Sequence, residues 1–233
     1  PIEIEDDNKH GGLTRKGEMS NQENAEIPTG EGENNNPEIE INGDNTRLAR
    51  AIVSTLVEKG IKVLALDFDK TIVSIHTAGF WTQPTPQLVE HVRPCFRALI
   101  QAGLETRLHL CIVTYSMQPA LIRDVIRMAL PRSDTDRILI RANSKDWLPP
   151  QSTTGQAYGK QQHIAWIVTE LFNKKHAIIH PEEILLMDDD TENVDIAHQF
   201  GHQAYEVPEE VTIEEISRFV EQMQHIRHEI PPT

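Results

Sequence analysis

Five short runs, at 62–68, 108–113, 138–140, 184–187 and 203–207, alternate along this chain with stretches whose apolar residues recur at helical spacing. That alternation leaves few architectures open. The first run contains Val63-Leu64-Ala65-Leu66 without a polar interruption, which marks a strand covered on both faces. Leu48, Ile52, Leu56 and Val57 mark one face of a helix ending near Gly60. A second helix starts near Pro94, which suits a first helical turn, and carries Phe96, Leu99 and Ile100 before Gly103. A third, from Pro119 to Leu130, turns Leu121, Ile122, Val125 and Ile126 inward and is stopped by Pro131. Helices from Lys160 to His176, Thr191 to Phe200 and Ile213 to His228 complete the pattern. Strands of this length separated by single helices pair in parallel through right-handed crossovers. The expected fold is α/β: a doubly wound, mostly parallel five-stranded sheet with helices on both faces.

The regular pattern begins at Asn45. Before it, residues 1–46 hold twelve acidic side chains against three basic ones, a net −9 of the chain's −14. The stretch Gly30-Glu-Gly-Glu-Asn-Asn-Asn-Pro37 has no apolar periodicity and little that can bury surface. The reading is an acidic, flexible tail over 1–44 and one domain over 45–233. The charge balance opposes nonspecific attraction to nucleic acid or anionic membranes, although a local basic groove is compatible with it. No apolar run approaches the ~18–20 residues that cross a bilayer, so no membrane partner is expected. Cys95 and Cys111 stand in neither metal-like nor redox-like spacing, and the first residues show no basic-then-apolar pattern. Both features point to reduced thiols in a cytoplasmic protein. The eleven histidines are scattered without ligand spacing, so zinc is not expected.

Chemistry is concentrated at the ends of the apolar runs. Asp67-Phe-Asp69-Lys-Thr71 follows the first run, at the edge where open α/β sheets bind ligands. In an extended strand the two carboxylates would share a face, whereas a loop turning outward would give them different directions and different roles. Thr114 follows the second run, with Tyr115 and Ser116 after it. Lys160 opens the long helix, and Lys145 is another basic side chain before it. Asp188-Asp189-x-x-x-Asn193 follows the fourth run, with Asp190 placed to cap the next helix.

In this order the four segments resemble the signature segments of the haloacid dehalogenase-like (HAD) superfamily, most of whose members are phosphohydrolases. The resemblance covers about Lys62 to Val207. It implies that Asp67 is a nucleophile forming an aspartyl-phosphate, and that Asp69 protonates the leaving oxygen and then takes a proton from water. It implies that Thr71 fixes the carboxylate loop, that Thr114 and nearby backbone N–H groups hold the phosphoryl oxygens, and that Lys160 neutralises charge. Mg²⁺ would be held by Asp67, the Asp69 backbone carbonyl and Asp189, with Asp188 and Asn193 orienting that shell. A phosphoryl dianion is repelled from a carboxylate unless cations intervene, so this inventory is what the reaction requires.

Members acting on small metabolites usually carry a separate cap, and neither the interval from Asp69 to Thr114 nor that from Thr114 to Lys160 has room for one. A capless site is open and suits a large substrate such as a phosphoprotein, or borrows a lid from a second copy in a homodimer. The stretch from Val73 to Trp81 reads as a short flap, with His76, Phe80 and Trp81 as substrate contacts or, for the two aromatics, as a seal against the core. Trp147, with Pro149 and Pro150, is a second candidate wall. Four other readings compete. A receiver domain has its acidic pair first and its lysine last, which is not the order here. A catalytically silent binding protein would keep the fold without the reaction. A nucleic-acid 3′-phosphatase is disfavoured by the acidic balance but stays open, as does a small-metabolite phosphatase.

Overall fold

The computed structural model describes residues 43–148 and 158–226. The expected tail lies outside them except for its last two residues, Gly43 and Asp44, which open the first helix.

Five strands form one parallel sheet: β1 (Val63–Leu66), β2 (His109–Thr114), β3 (Leu139–Ala142), β4 (Ile184–Asp188) and β5 (Gln203–Glu206). Their order across the sheet is β3-β2-β1-β4-β5. The registers bring Leu64 opposite Leu110 and Leu185, and Ala65 opposite Cys111 and Leu186. Since side chains alternate along a strand, each central strand contributes to two separate cores. Leu64, Leu66, Leu110, Ile112, Leu185 and Met187 join one cluster, and Val63, Ala65, Cys111, Val113, Ile184 and Leu186 join the other. This is why the apolar runs are continuous in the sequence.

The helices are α1 (Gly43–Glu58), α2 (Thr85–Val89), α3 (Pro94–Leu104), α4 (Pro119–Ala129), α5 (Gln161–Lys175), α6 (Thr191–Gln199) and α7 (Ile213–Gln222). Residues of α1, α3, α4 and α7 fill the first core, and those of α5 and α6 the second. The doubly wound sheet read from the sequence is therefore present. Chain direction across the sheet reverses between β1 and β4, which makes their C-terminal ends the topological switch point.

One helix is shorter than the sequence implies. α7 ends at Gln222 rather than His228, because Lys59 at the end of α1 donates through Nζ to the carbonyls of Glu221 and Met223. The backbone then leaves the helix, and Ile226 N–H donates to the Lys59 carbonyl at 3.0 Å. Positions 227 and 228 lie outside the described residues. Between Asp69 and Thr114 lie only a flap, α2 and α3, and the described residues between Thr114 and α5 add only α4, β3 and loop.

Phe96 on α3 is fully buried in the first core. Phe96→Ala should lower stability by about 3–5 kcal/mol, read as a lower urea midpoint with an unchanged slope.

Candidate active site

β1 ends where Asp67 N–H donates to the Met187 carbonyl at 2.9 Å, and the chain then leaves the sheet. Residues 68–72 form one wide turn, closed by Val73 N–H donating to the Phe68 carbonyl at 3.0 Å. Within it Asp69 is extended and Lys70 is left-handed, with φ of 54°. The turn is braced from below by Arg93, whose Nη2 donates to the Lys70 carbonyl at 2.9 Å. This turn separates the two carboxylates. Asp67 points toward Lys160, while Asp69 is held by the flap: Thr77 Oγ1 donates to it at 2.8 Å, Thr77 N–H at 3.1 Å, and His76 Nδ1 lies 2.9 Å from Oδ2.

Lys160 arrives from the start of α5. Gly159 before it has φ of 47°, and a Cβ there would lie 3.1 Å from Asn193 Oδ1, so a larger residue would be strained in backbone and crowded against α6. The Lys160 ammonium is buried; it donates to Asp67 Oδ1 and to the Val113 carbonyl at 3.2 Å, and lies 3.4 Å from Asp188 Oδ2. It also sits 4.4 Å from the centre of the Tyr115 ring. From β4, Asp188 Oδ1 accepts from Asn193 Nδ2 and from Asp190 N–H, both at 3.0 Å. Its other oxygen, Oδ2, accepts no hydrogen bond although it is buried. Asp190 caps α6, accepting from Glu192 N–H.

Charge and burial compete here. Burial pushes the Asp67 carboxyl up to about 7, opposed by the Lys160 ammonium and reinforced by Asp188. Asp189 is raised by burial and then by Asp188. For Lys160 burial acts downward, but Asp67 and Asp188 outweigh it and hold the ammonium protonated. Among the described residues, ligand atoms of Asp67, Asp188 and Asp189 lie within 4.8 Å of one another. Three carboxylates against one ammonium leave two negative charges, and all the donors are hard oxygens. With a buried oxygen left unsatisfied at Asp188, that set fits Mg²⁺. The sequence reading put Asp188 behind the metal shell; the geometry instead brings a carboxylate oxygen of Asp188 within 4.8 Å of those of Asp67 and Asp189, with Asn193 bonded to Asp188 Oδ1.

Asp67, Asp69, His76, Thr114, Tyr115, Lys160, Asp188, Asp189 and Asn193 all line one cleft of about 450 Å³. Lys70, Asp190 and Thr191 complete it. Four residues read from the sequence as part of the site do not line it. Thr71, within the turn, is wholly buried. Ser116 is buried, and its Oγ accepts from Gln118 N–H at 3.3 Å, bracing the start of α4. Trp81 packs against the first core, its backbone held by Gln118, whose Nε2 donates to the Trp81 carbonyl at 3.0 Å. Phe80 projects into solvent outside the cleft. Lys145 is exposed on a loop away from the cleft, which leaves Lys160 as the lysine of the site. Trp147 is no wall of it either: its ring stacks on the Arg141 guanidinium at 3.5 Å and meets His163 edge-on. Pro149 and Pro150 lie outside the described residues. Thr77, Arg93 and Gln118 escaped sequence reading because each acts by reaching a backbone or carboxylate brought near only by folding.

The five-stranded parallel sheet with helices on both faces matches the fold that the HAD-like resemblance implies. No family model matches the chain, and no curated protein does. Among solved structures the chain is similar to the N-terminal part of a Bacteroides fragilis protein containing a phosphatase domain complexed with Mg. The two are 16% identical over 73% of this chain and 41% of that one, with a TM-score of 0.42, so this chain spans less than half of that protein. It is also similar to the HAD domain of the Legionella pneumophila effector protein Lem4, an inactive mutant. There the identity is 12% over 69% of this chain and 92% of that one, with a TM-score of 0.43. No described helix is long and apolar enough to cross a membrane.

Two measurements follow from this geometry. Asp188→Asn and Asp189→Asn should each weaken Mg²⁺ binding by at least about tenfold in calorimetric titration; unchanged affinity would move the cation elsewhere. His163, wholly buried beside the site, is lowered to about 3 by burial, then by Lys160 and Arg141. Its folded value is depressed below the ordinary 6.5, so its contribution to stability is present above pH 6.5 and lost as pH falls toward 3. His163→Gln should therefore flatten the fall in the urea midpoint across that window.

Proposed function

We propose that the chain is a capless HAD-like phosphatase that hydrolyses phosphomonoesters with Mg²⁺ bound. The observation that carries this reading is the buried Lys160 ammonium set between Asp67 and Asp188, with the separately held Asp69 lining the same cleft.

The paired ammonium opposes the pull of burial on Asp67 and so favours the carboxylate form that attacks phosphorus. The bond from phosphorus to the ester oxygen breaks as the new bond to Asp67 forms. In the role the HAD-like resemblance gives it, Asp69 passes a proton to the departing oxygen, which leaves as an alcohol or phenol. A water then attacks the phosphorus of the aspartyl-phosphate, Asp69 takes the proton from that water, and the bond to Asp67 breaks to release inorganic phosphate. Both carboxyl groups return to their starting states. Thr77 and His76 give Asp69 its separate position, so one carboxylate attacks while its neighbour moves protons. Thr114 and Lys160 line the cleft where phosphoryl oxygens would sit, and stabilise charge there. Asp67, Asp188, Asp189 and the Asp69 backbone carbonyl would hold Mg²⁺, whose chemistry is to offset the repulsion between phosphate and carboxylate.

The site is open, with no cap domain among the described residues to enclose a small metabolite, which favours a large substrate such as a phosphoprotein. Acidic side chains at the cleft, Asp189 and Asp190, work against polyanions, which ranks a nucleic-acid end second.

Purified protein with Mg²⁺ should turn over a generic aryl phosphate, and Asp67→Asn should lower that rate by at least about 10³-fold. Absence of turnover in the parent protein would favour a catalytically silent binding protein. Thr77→Val should lower kcat roughly 10–100-fold by releasing Asp69, with little change in Mg²⁺ affinity.

A further inference from the structure

The mouth of the cleft has two unlike sides. β2 and β4 flank β1, so the loops that follow them form facing walls. The wall after β4 is acidic, with Asp189 and Asp190 lining the cleft and Glu192 exposed just beyond. The side after β2 is apolar. Tyr115 is 43% exposed, Met117 39% and Phe80 65%. Phe80 belongs to the flap rather than to the β2 loop, but Met117 N–H donates to the Gly79 carbonyl at 3.2 Å, which brings the two segments together.

Backbone bonding holds this exposure in place. Ala78 and Gly79 are both left-handed, with φ of 55° and 74°. Alanine rarely adopts that conformation, so the surrounding bonds must impose it. Met117 ties down Gly79, and Gln118 holds Trp81 on the other side of Phe80 by both its N–H and its carbonyl. Three large apolar side chains are thus presented to water by a braced backbone, and one of them, Tyr115, also lines the cleft. Contiguous exposed apolar surface beside a polar cleft is a mark of a recognition site.

Resting on the phosphatase reading, we infer that Phe80, Met117 and the Tyr115 ring form a lip that docks the substrate's own chain. It takes a bulky apolar side chain next to the phosphorylated residue of a protein segment, and the facing acidic wall takes a basic side chain. A polypeptide can meet both walls at once. A nucleic-acid end can stack on the aromatics but brings phosphodiesters to Asp190 and Glu192. A sugar phosphate leaves the lip in water.

The test uses two fluorescently labelled phosphopeptides of equal length and charge, one with leucines beside the phosphorylated residue and one with serines. Each is titrated, with Mg²⁺, into Asp67→Asn protein so that binding is read without turnover. The leucine peptide should bind about tenfold more tightly, and adding Phe80→Ser with Met117→Ser should bring the two to parity. Phe80→Ser alone, whose side chain is the most exposed of the three, should give a partial loss and guards against a folding defect in the combined variant. Equal binding of the two peptides would overturn the inference. So would a preference that survives both serine substitutions, or tighter binding of a 3′-phosphorylated oligonucleotide than of either peptide. Turnover of a generic aryl phosphate by the Asp67 protein is measured beside it. If that turnover is absent while the leucine preference holds, the lip stands as a binding site and the catalytic reading alone fails.

Discussion

The buried ammonium of Lys160 is the constraint on which the site depends. Moving a charge of either sign out of water costs several kcal/mol even after the protein relaxes, and here one ammonium and two carboxylates are buried together. Their mutual attraction offsets that cost only in part. The burial that raises Asp67 and the unbonded Asp188 Oδ2 are the residue of the imbalance. A hydrophobic cluster of similar volume would serve stability as well or better. Chains keep such arrangements where chemistry uses them, and a divalent cation at Asp67, Asp188 and Asp189 would supply the positive charge this one lacks.

Everything around that ammonium is placed by the sheet. The strands end in register, so Asp67, Thr114 and Asp188 leave β1, β2 and β4 at one edge, and Asp69, Lys160 and Asn193 are supplied by segments that follow or cross it. The two apolar cores above and below fix the strands and leave the edge free to be polar. The wide turn after β1 then does what a straight strand cannot: it sends Asp69 to the flap while Asp67 stays with Lys160. Flap, turn and β2 loop are linked through Thr77, Arg93 and Gln118, so the position of Asp69 depends on residues outside the four segments.

The sheet and its helices were legible because burial on both faces writes itself as uninterrupted apolar runs and helical spacing. The end of α7 was not, because it is met by a tertiary contact: Lys59, just past α1, donates to the carbonyls of Glu221 and Met223. At the site, residue types at strand ends were informative, and Asp67, Thr114, Lys160 and Asp189 do meet in one cleft. Orientation was not written there. Thr71 and Ser116 have the right chemistry and neighbours but turn inward. Asp188 was assigned a supporting position because sequence cannot say which of its oxygens Asn193 would occupy. Thr77 left only a weak signal, a hydroxyl beside His76 in a flap eight residues from Asp69.

The central claim is that Asp67 carries the phosphoryl group between two halves of a hydrolysis. Turnover quenched with borohydride and followed by peptide mass spectrometry reads this directly, since an aspartyl-phosphate is reduced to homoserine while a free aspartate is not. The account requires homoserine at position 67, formed only when substrate and Mg²⁺ are both present. Homoserine at position 69, 188 or 189, or none at any position while phosphate is released, would contradict it.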